Sequence, residues 1–89
     1  MTFLQLRYFQ SVCQYNSISK AAEAMHISQP AISIAVKELE EEFGVSLFTR
    51  DKKRLILTNE GSFFLERVSE ILPQIDALSK LMSDLGRKQ

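Results

Sequence analysis

A mainly α fold, three short helices and a two-stranded hairpin followed by one long helix, is what this sequence predicts, on three observations. Between Ser19 and Phe43 two helical patterns meet at a tight turn. Residues 45–58 hold two short β-prone segments around a charged tip, and from Phe64 to Leu85 apolar residues alternate at spacings of four and three. The architecture this implies is a winged helix-turn-helix over residues 1–58 and a long linker or dimerisation helix over residues 59–89.

The first helix spans Thr2 to about Tyr15, with Leu6, Phe9 and Cys13 on one row and Leu4, Tyr8, Val12 and Tyr15 on another. So wide a stripe serves two contacts, one with the helix-turn-helix and one with the long helix or its partner. Asn16 and Ser17 end it, because Asn tolerates the left-handed conformation that commonly terminates a helix.

Ser19 can cap the next helix, whose Ala21, Ala22 and Ala24 permit close approach and whose last large apolar residue is Met25. His26 and Ile27 form the turn. Ser28 then offers its oxygen to the free amides of a third helix, and Pro30 sits in the first turn, where its missing N–H costs little. On that helix Ile32, Val36, Leu39 and Phe43 make a core-facing stripe, leaving Gln29, Ser33, Ile34 and Lys37 on other faces. Its exposed N-terminal half is short and only partly charged, as suits a helix entering a major groove.

Gly44 is placed to stop the third helix, and Leu47–Phe48 and Leu55–Leu57 anchor the arms of a hairpin. Its tip holds Arg50, Lys52, Lys53 and Arg54 against Asp51. That cluster suits phosphate or minor-groove contact. It equally suits a solvated loop that keeps a hairpin edge from pairing.

Thr58 caps the last helix, with Glu60 in the first turn favoured by the helix dipole. Phe64, Val68, Ile71, Ile75, Leu78, Met82 and Leu85 then form a heptad seam, widened by Leu65, Leu72 and Leu81. Such a seam is difficult to satisfy inside an 89-residue monomer and points to dimerisation. Pro73 lies on the face opposite the seam, so a bend is expected rather than a break; an interior proline costs about 3 kcal/mol.

The totals narrow the function. A chain of 89 residues makes one small domain, too short for a deep catalytic cleft. One His and one Cys, with no carboxylate pair, phosphate-cradling loop or metal-ligand spacing, argue against an enzyme and against any metal or cofactor. Cys13 reads as a small buried hydrophobe, and His26 as a turn residue or a phosphate neighbour. Neither a membrane-length apolar run nor a signal peptide is present, so a soluble cytoplasmic protein is expected. Eleven basic residues balance eleven acidic ones, which counts against nucleic-acid binding until their distribution is considered. The acids gather at Glu38, Glu40, Glu41 and Glu42, while residues 1–37 and 50–54 are each positive. A neutral sum can hide a basic face.

The chain resembles the N-terminal DNA-binding domain of the LysR-type bacterial transcriptional regulators. The residues that carry the resemblance are Leu6 to Phe9, Ser17-Ile18-Ser19 followed by Ala21-Ala22, Ser28-Gln29-Pro30-Ala31-Ile32-Ser33, Leu39-Glu40, Gly44, Leu47-Phe48, Arg50, Leu57-Thr58 and Gly61. The resemblance implies a winged helix-turn-helix, a linker helix paired antiparallel with that of a second subunit, and an absent C-terminal domain in which a small-molecule inducer would bind. Full-length relatives are often tetramers, through contacts beyond Gln89.

Carried onto this sequence, it implies that Gln29, Pro30 and Ser33 face the major groove and that Ser28 and Lys37 lie near the backbone. Arg50 with Lys52, Lys53 and Arg54 would support phosphate or minor-groove contact, and Lys20 could reach a phosphate. The chemistry is apt: Gln pairs with adenine, Pro packs on a thymine methyl, and Ser donates to a base or a phosphate. Bland roles exist too, Ser28 as an N-cap above all. Ile34-Ala35 stands where many members carry a long polar or basic residue, so specificity leans on thymine methyls and DNA shape. Glu60 replaces a usual alanine harmlessly.

The expected function is sequence-specific binding of double-stranded DNA by a dimeric transcriptional regulator at an interrupted inverted repeat. The alternative is a protein-interaction module that uses a winged helix; steep salt dependence on DNA separates the two.

Overall fold

The computed structural model describes residues 1–87. In chain order it contains α1 (Phe3–Tyr15), α2 (Ile18–Met25), α3 (Gln29–Phe43), β1 (Phe48–Asp51), β2 (Arg54–Leu57) and α4 (Asn59–Arg87). The order and type of every element are those the sequence predicts.

Local chemistry sets the boundaries. Thr2 and Gln5 close a reciprocal capping box on α1, with bonds of 3.0 and 2.9 Å. Asn16 ends α1 in the left-handed conformation, φ 50°. The cap of α2 is Ser17, not the expected Ser19: its Oγ accepts from the Lys20 amide at 3.2 Å, and the helix begins at Ile18. The sharp reversal at Asn16 already turns the chain, so the next residue is free to cap and Ser19 falls within the first turn. His26, φ 58°, donates its backbone N–H to the Ala22 and Glu23 carbonyls and ends α2. Ser28 then caps α3 through the Ala31 amide at 3.3 Å. Left-handed Gly44, φ 66°, closes α3 with a 2.8 Å bond to the Glu40 carbonyl.

The core has two connected parts. Leu6, Phe9, Leu39, Leu47, Val68 and Leu72 form one; Val12, Ala21, Ala22, Ile32 and Val36 form the other. The two rows of α1 thus divide as expected, though Leu4 and Tyr15, at the ends of the second row, are exposed. Phe43 also departs from its expected core position. It is 45% exposed, because α3 stops one residue later and leaves its ring leaning on Phe64 at 5.9 Å between centroids. Phe9 is fully buried between Phe48 at 5.4 Å and Phe64 at 5.0 Å, so one ring joins the hairpin and α4.

The hairpin pairs Phe48 with Leu57 and Asp51 with Arg54, leaving Lys52 and Lys53 as its two-residue turn. Both lysines are left-handed, φ 50° and 70°, positions at which Asn and Gly are the usual occupants. At the base of the hairpin the Glu40 carboxylate accepts from the backbone N–H groups of Leu47, at 2.7 Å, and Phe48, at 3.3 Å. Thr58 caps α4 through the Gly61 amide at 2.9 Å. Gly61 lies so near the hairpin that a Cβ there would stand 2.1 Å from the Leu47 carbonyl oxygen.

Helix α4 runs unbroken through the exposed Pro73. Its first half belongs to the core through Gly61, Val68 and Leu72, and an Arg7–Asp76 ion pair of 2.8 Å fastens it to α1. Of the heptad seam, Val68 is therefore turned inward, and Phe64 and Ile75 are half-buried, while Ile71, Leu78, Met82 and Leu85 are exposed. The rest of α4 protrudes, which gives the molecule its 56 × 25 × 19 Å extents. Lys88 and Gln89, the last two residues of the expected linker segment, lie outside the described residues.

Candidate nucleic-acid interface

Three elements converge on one cleft of about 480 Å³: the start of α2, the N-terminal half of α3 and the hairpin tip. The α3 cap at Ser28 fixes where that helix begins, so Gln29 and, one turn later, Ser33 project into the cleft. The Ser17 cap does the same for α2 and delivers Lys20. The hairpin contributes Arg50, Lys53 and Arg54. Six residues singled out by sequence, Lys20, Gln29, Ser33, Arg50, Lys53 and Arg54, thus share one surface although 34 positions separate the first from the last.

The electrostatics follow from that lining. Four cations face the cleft and no carboxylate does. Among the described residues none of the four is ion-paired, so their charge is available to an anion. Most of the α3 acids are directed elsewhere: Glu38 accepts from the Gln5 side chain at 3.2 Å and Glu42 pairs with the N-terminal amine at 2.7 Å. From Gln29 to Glu42 is about 20 Å along the helix at 1.5 Å per residue, beyond the Debye length of about 8 Å at physiological ionic strength. The neutral chain is polarised.

The remaining candidates are arranged around this cleft. Lys37 lies in an adjoining groove, together with Ser33 and Arg50. Pro30 and Ile34 are exposed on the neighbouring row of α3, with Ile34 56% exposed. Ser28 is occupied as an N-cap, and Lys52 stands exposed at the outermost turn. His26 is exposed and acts through its backbone.

Sequence reasoning missed Asn16, Ser17 and Ser19, which also line the cleft. Each is a small polar residue at a helix boundary, marked in the sequence by capping chemistry and, for Ser17 and Ser19, by the Ser17-Ile18-Ser19 element of the resemblance, but not as part of a site. It missed Glu40 as well. In the sequence that residue is one of four gathered acids and half of the Leu39-Glu40 element, yet it bonds the first arm of the hairpin to α3 and so fixes the wing beside the helix. Cys13 is half-buried, and burial pushes its thiol up to about 12. Among the described residues, no group of three or more His, Cys, Asp or Glu side chains could hold a metal ion, and no helix is long and apolar enough to cross a membrane.

Residues 3–62 match the family model of the bacterial regulatory helix-turn-helix proteins, lysR family. The chain belongs to the LysR family. It is 46% identical to the HTH-type transcriptional regulator BsdA of Bacillus subtilis (strain 168) over 77 residues, which is 85% of this chain and 27% of that protein. Against the BenM_DBD/catB site 1 DNA complex it gives a TM-score of 0.90 at 32% identity, covering 97% of this chain and 96% of that one. Against the CbnR_DBD–DNA complex the TM-score is 0.80 at 35% identity, covering 99% and 97%. The LysR fold, three helices with a hairpin wing and a long last helix, is thereby shared along nearly the whole chain. The chain spans less than a third of the length of the curated LysR relatives it matches. The matched family is one of bacterial regulatory helix-turn-helix proteins, and this LysR domain aligns along nearly its whole length with DNA-binding domains crystallised on DNA.

Proposed function

We propose that two copies of this chain read an interrupted inverted repeat in duplex DNA, each placing the N-terminal half of α3 in a major groove. Gln29 and Ser33 contact base edges, Pro30 and Ile34 pack on thymine methyls, and Ser28 and Lys37 lie beside the backbone. Lys20, Arg50, Lys53 and Arg54 engage phosphates, with Lys52 at the wing tip reaching phosphate or the minor groove. Residues 1–58 supply this reader. Residues 59–89 pair the copies through α4, using Ile71, Ile75, Leu78, Met82 and Leu85, with Phe64 and Val68 bracing the helix from within. The site is the bacterial cytoplasm. A small-molecule inducer acts only through a further domain of the whole regulator, which also sets any tetramer.

The observation that carries this reading is the convergence of four cations, without an ion-pair partner among the described residues, with Gln29 and Ser33 in one cleft of a neutral chain. Crystallised DNA complexes of BenM_DBD and CbnR_DBD, both of the same fold, support it. The test is selection of random duplexes near physiological salt, followed by binding titrations across salt. An enriched two-half-site repeat is expected, with affinity falling steeply as salt rises. Gln29→Ala and Ser33→Ala should keep the fold and relax preference at individual bases. No enrichment by a folded chain, or affinity indifferent to salt, would instead favour a winged helix that binds protein.

A further inference from the structure

Before Lys37, α3 carries no charged residue, and the side of its first turns that faces away from the core is apolar. Ile32, Ala35, Val36 and Leu39 are its buried residues. At about 100° per residue, Pro30 and Ile34 point roughly 150° or more away from the middle of that stripe. Both are exposed, Ile34 over 56% of its surface. Gln29 and Ser33, which line the cationic cleft, stand to one side of this ridge.

A ridge of this kind is a selective probe. Isoleucine has one strongly preferred χ1 rotamer in a helix and proline has a fixed ring, so little freedom is lost when either is covered. Neither side chain donates or accepts a hydrogen bond. A base pair presents mostly polar groups in the major groove, and the C5 methyl of a pyrimidine is its one apolar projection. Guanine O6, purine N7 and the exocyclic amines would give up water against Ile34 and gain no partner in return.

We infer that Ile34, beside Pro30, reads the C5 methyl itself rather than the base that carries it, so that 5-methylcytosine serves in place of thymine. This rests on the major-groove reading proposed above and names the group that the ridge recognises there. Thymine and 5-methylcytosine share the methyl and differ at C4, carbonyl against amine, a difference that an aliphatic side chain has no hydrogen bond to register. Methylation of a cytosine opposite Ile34 therefore tightens binding. A hydroxymethyl group, which brings a hydroxyl onto the same aliphatic surface, does not. One buried methyl corresponds to about a fourfold gain per half-site and about fifteenfold over two.

The test uses the 89-residue chain on the duplex enriched by the selection described above, at one fixed salt concentration. Deoxyuridine replaces each thymine in turn, which removes only the methyl. At the position this identifies, cytosine, 5-methylcytosine and 5-hydroxymethylcytosine are then compared, each paired with guanine. A loss of about fourfold per half-site is expected from uracil, and a gain of the same size from cytosine to 5-methylcytosine but not to 5-hydroxymethylcytosine. Ile34→Ala, with circular dichroism unchanged, should reduce both steps to below about twofold, and Ile34→Val should keep most of each. A methyl step at thymine with none at cytosine would overturn reading of the methyl itself. Steps that survive Ile34→Ala would overturn the assignment to Ile34. Indifference to uracil at every thymine of an enriched repeat would overturn the inference and leave the major-groove reading standing. No enriched repeat, with binding indifferent to salt, would remove that reading and the inference with it.

Discussion

Glu40 holds the backbone N–H of Leu47 at 2.7 Å, and through that contact a residue of α3 fixes the first arm of the wing. Leu47 is almost fully buried, and its amide lies in the last stretch before β1. Glu40→Ala would leave two N–H groups without this acceptor. The expected loss is about 1–3 kcal/mol, read as a lower urea midpoint, together with weaker DNA binding because the wing loses its angle to α3. Glu40→Gln, which keeps an acceptor, should recover most of both. Equal behaviour of the two variants would assign the effect to charge rather than to the bond.

Gly61 is a matter of space, not of backbone conformation. An added methyl would meet the Leu47 carbonyl oxygen at 2.1 Å and Leu57 Cδ1 at 2.7 Å, and that carbonyl already accepts from the Thr58 amide at 3.0 Å. Gly61→Ala should therefore destabilise by about 3 kcal/mol, at the upper end of overpacking effects. Gly86→Ala, where nothing lies within 4 Å, should stabilise slightly through helix propensity. Thermal melts of the two variants should move in opposite directions.

The wing tip sets stability against binding. Lys52 and Lys53 occupy left-handed backbone, which costs about 1–2 kcal/mol for a residue with a Cβ. Lys52→Asn combined with Lys53→Gly should raise the denaturation midpoint. The same variant should weaken DNA binding and flatten its salt dependence by up to about 2 in the logarithmic slope. A more stable protein with an unchanged slope would show that the tip does not touch phosphate.

Burial holds the Cys13 thiol protonated, its titration moved from 9.0 to about 12. Native protein at pH 8 should react with iodoacetamide far more slowly than the urea-unfolded chain. The linked effect on stability has a definite sign. The folded chain binds this proton more tightly, so the contribution is intact below about 9 and is lost as pH rises from 9.0 towards about 12. Cys13→Ala should remove that part of the alkaline slope.

Whatever was settled within a few residues could be read in the sequence. The turn from α2 to α3 needed only His26, Ser28 and Pro30, and the stop at Gly44 needed only its glycine. The cap of α2 was misplaced because Ser17 and Ser19 flank Ile18 with equal chemistry, and only the reversal at Asn16 chooses between them. Glu40 was illegible for another reason: among Glu38, Glu40, Glu41 and Glu42, nothing local marks the one that reaches the hairpin. The cationic cleft was legible as a set of residues but not as a surface. Nothing in their sequence separation says that Lys20 and Arg54 share a wall with Gln29, since the packing of α1 beneath them decides it. Left-handed lysines at the wing tip carried no signal, because neither Gly nor Asn is present to mark the turn.

The Arg7–Asp76 ion pair and the burial of Val68 and Leu72 fasten α4 to the body as far as about its midpoint. In a pair built on α4, the distance between the two reading heads is then a ruler cut to a fixed length. One residue inserted after Asp76 would advance the helix by about 1.5 Å and rotate its C-terminal part by about 100°, so the pair would be thrown out of phase with the turns of its DNA. Seven inserted residues, nearly two full turns, would restore the facing and change only the span.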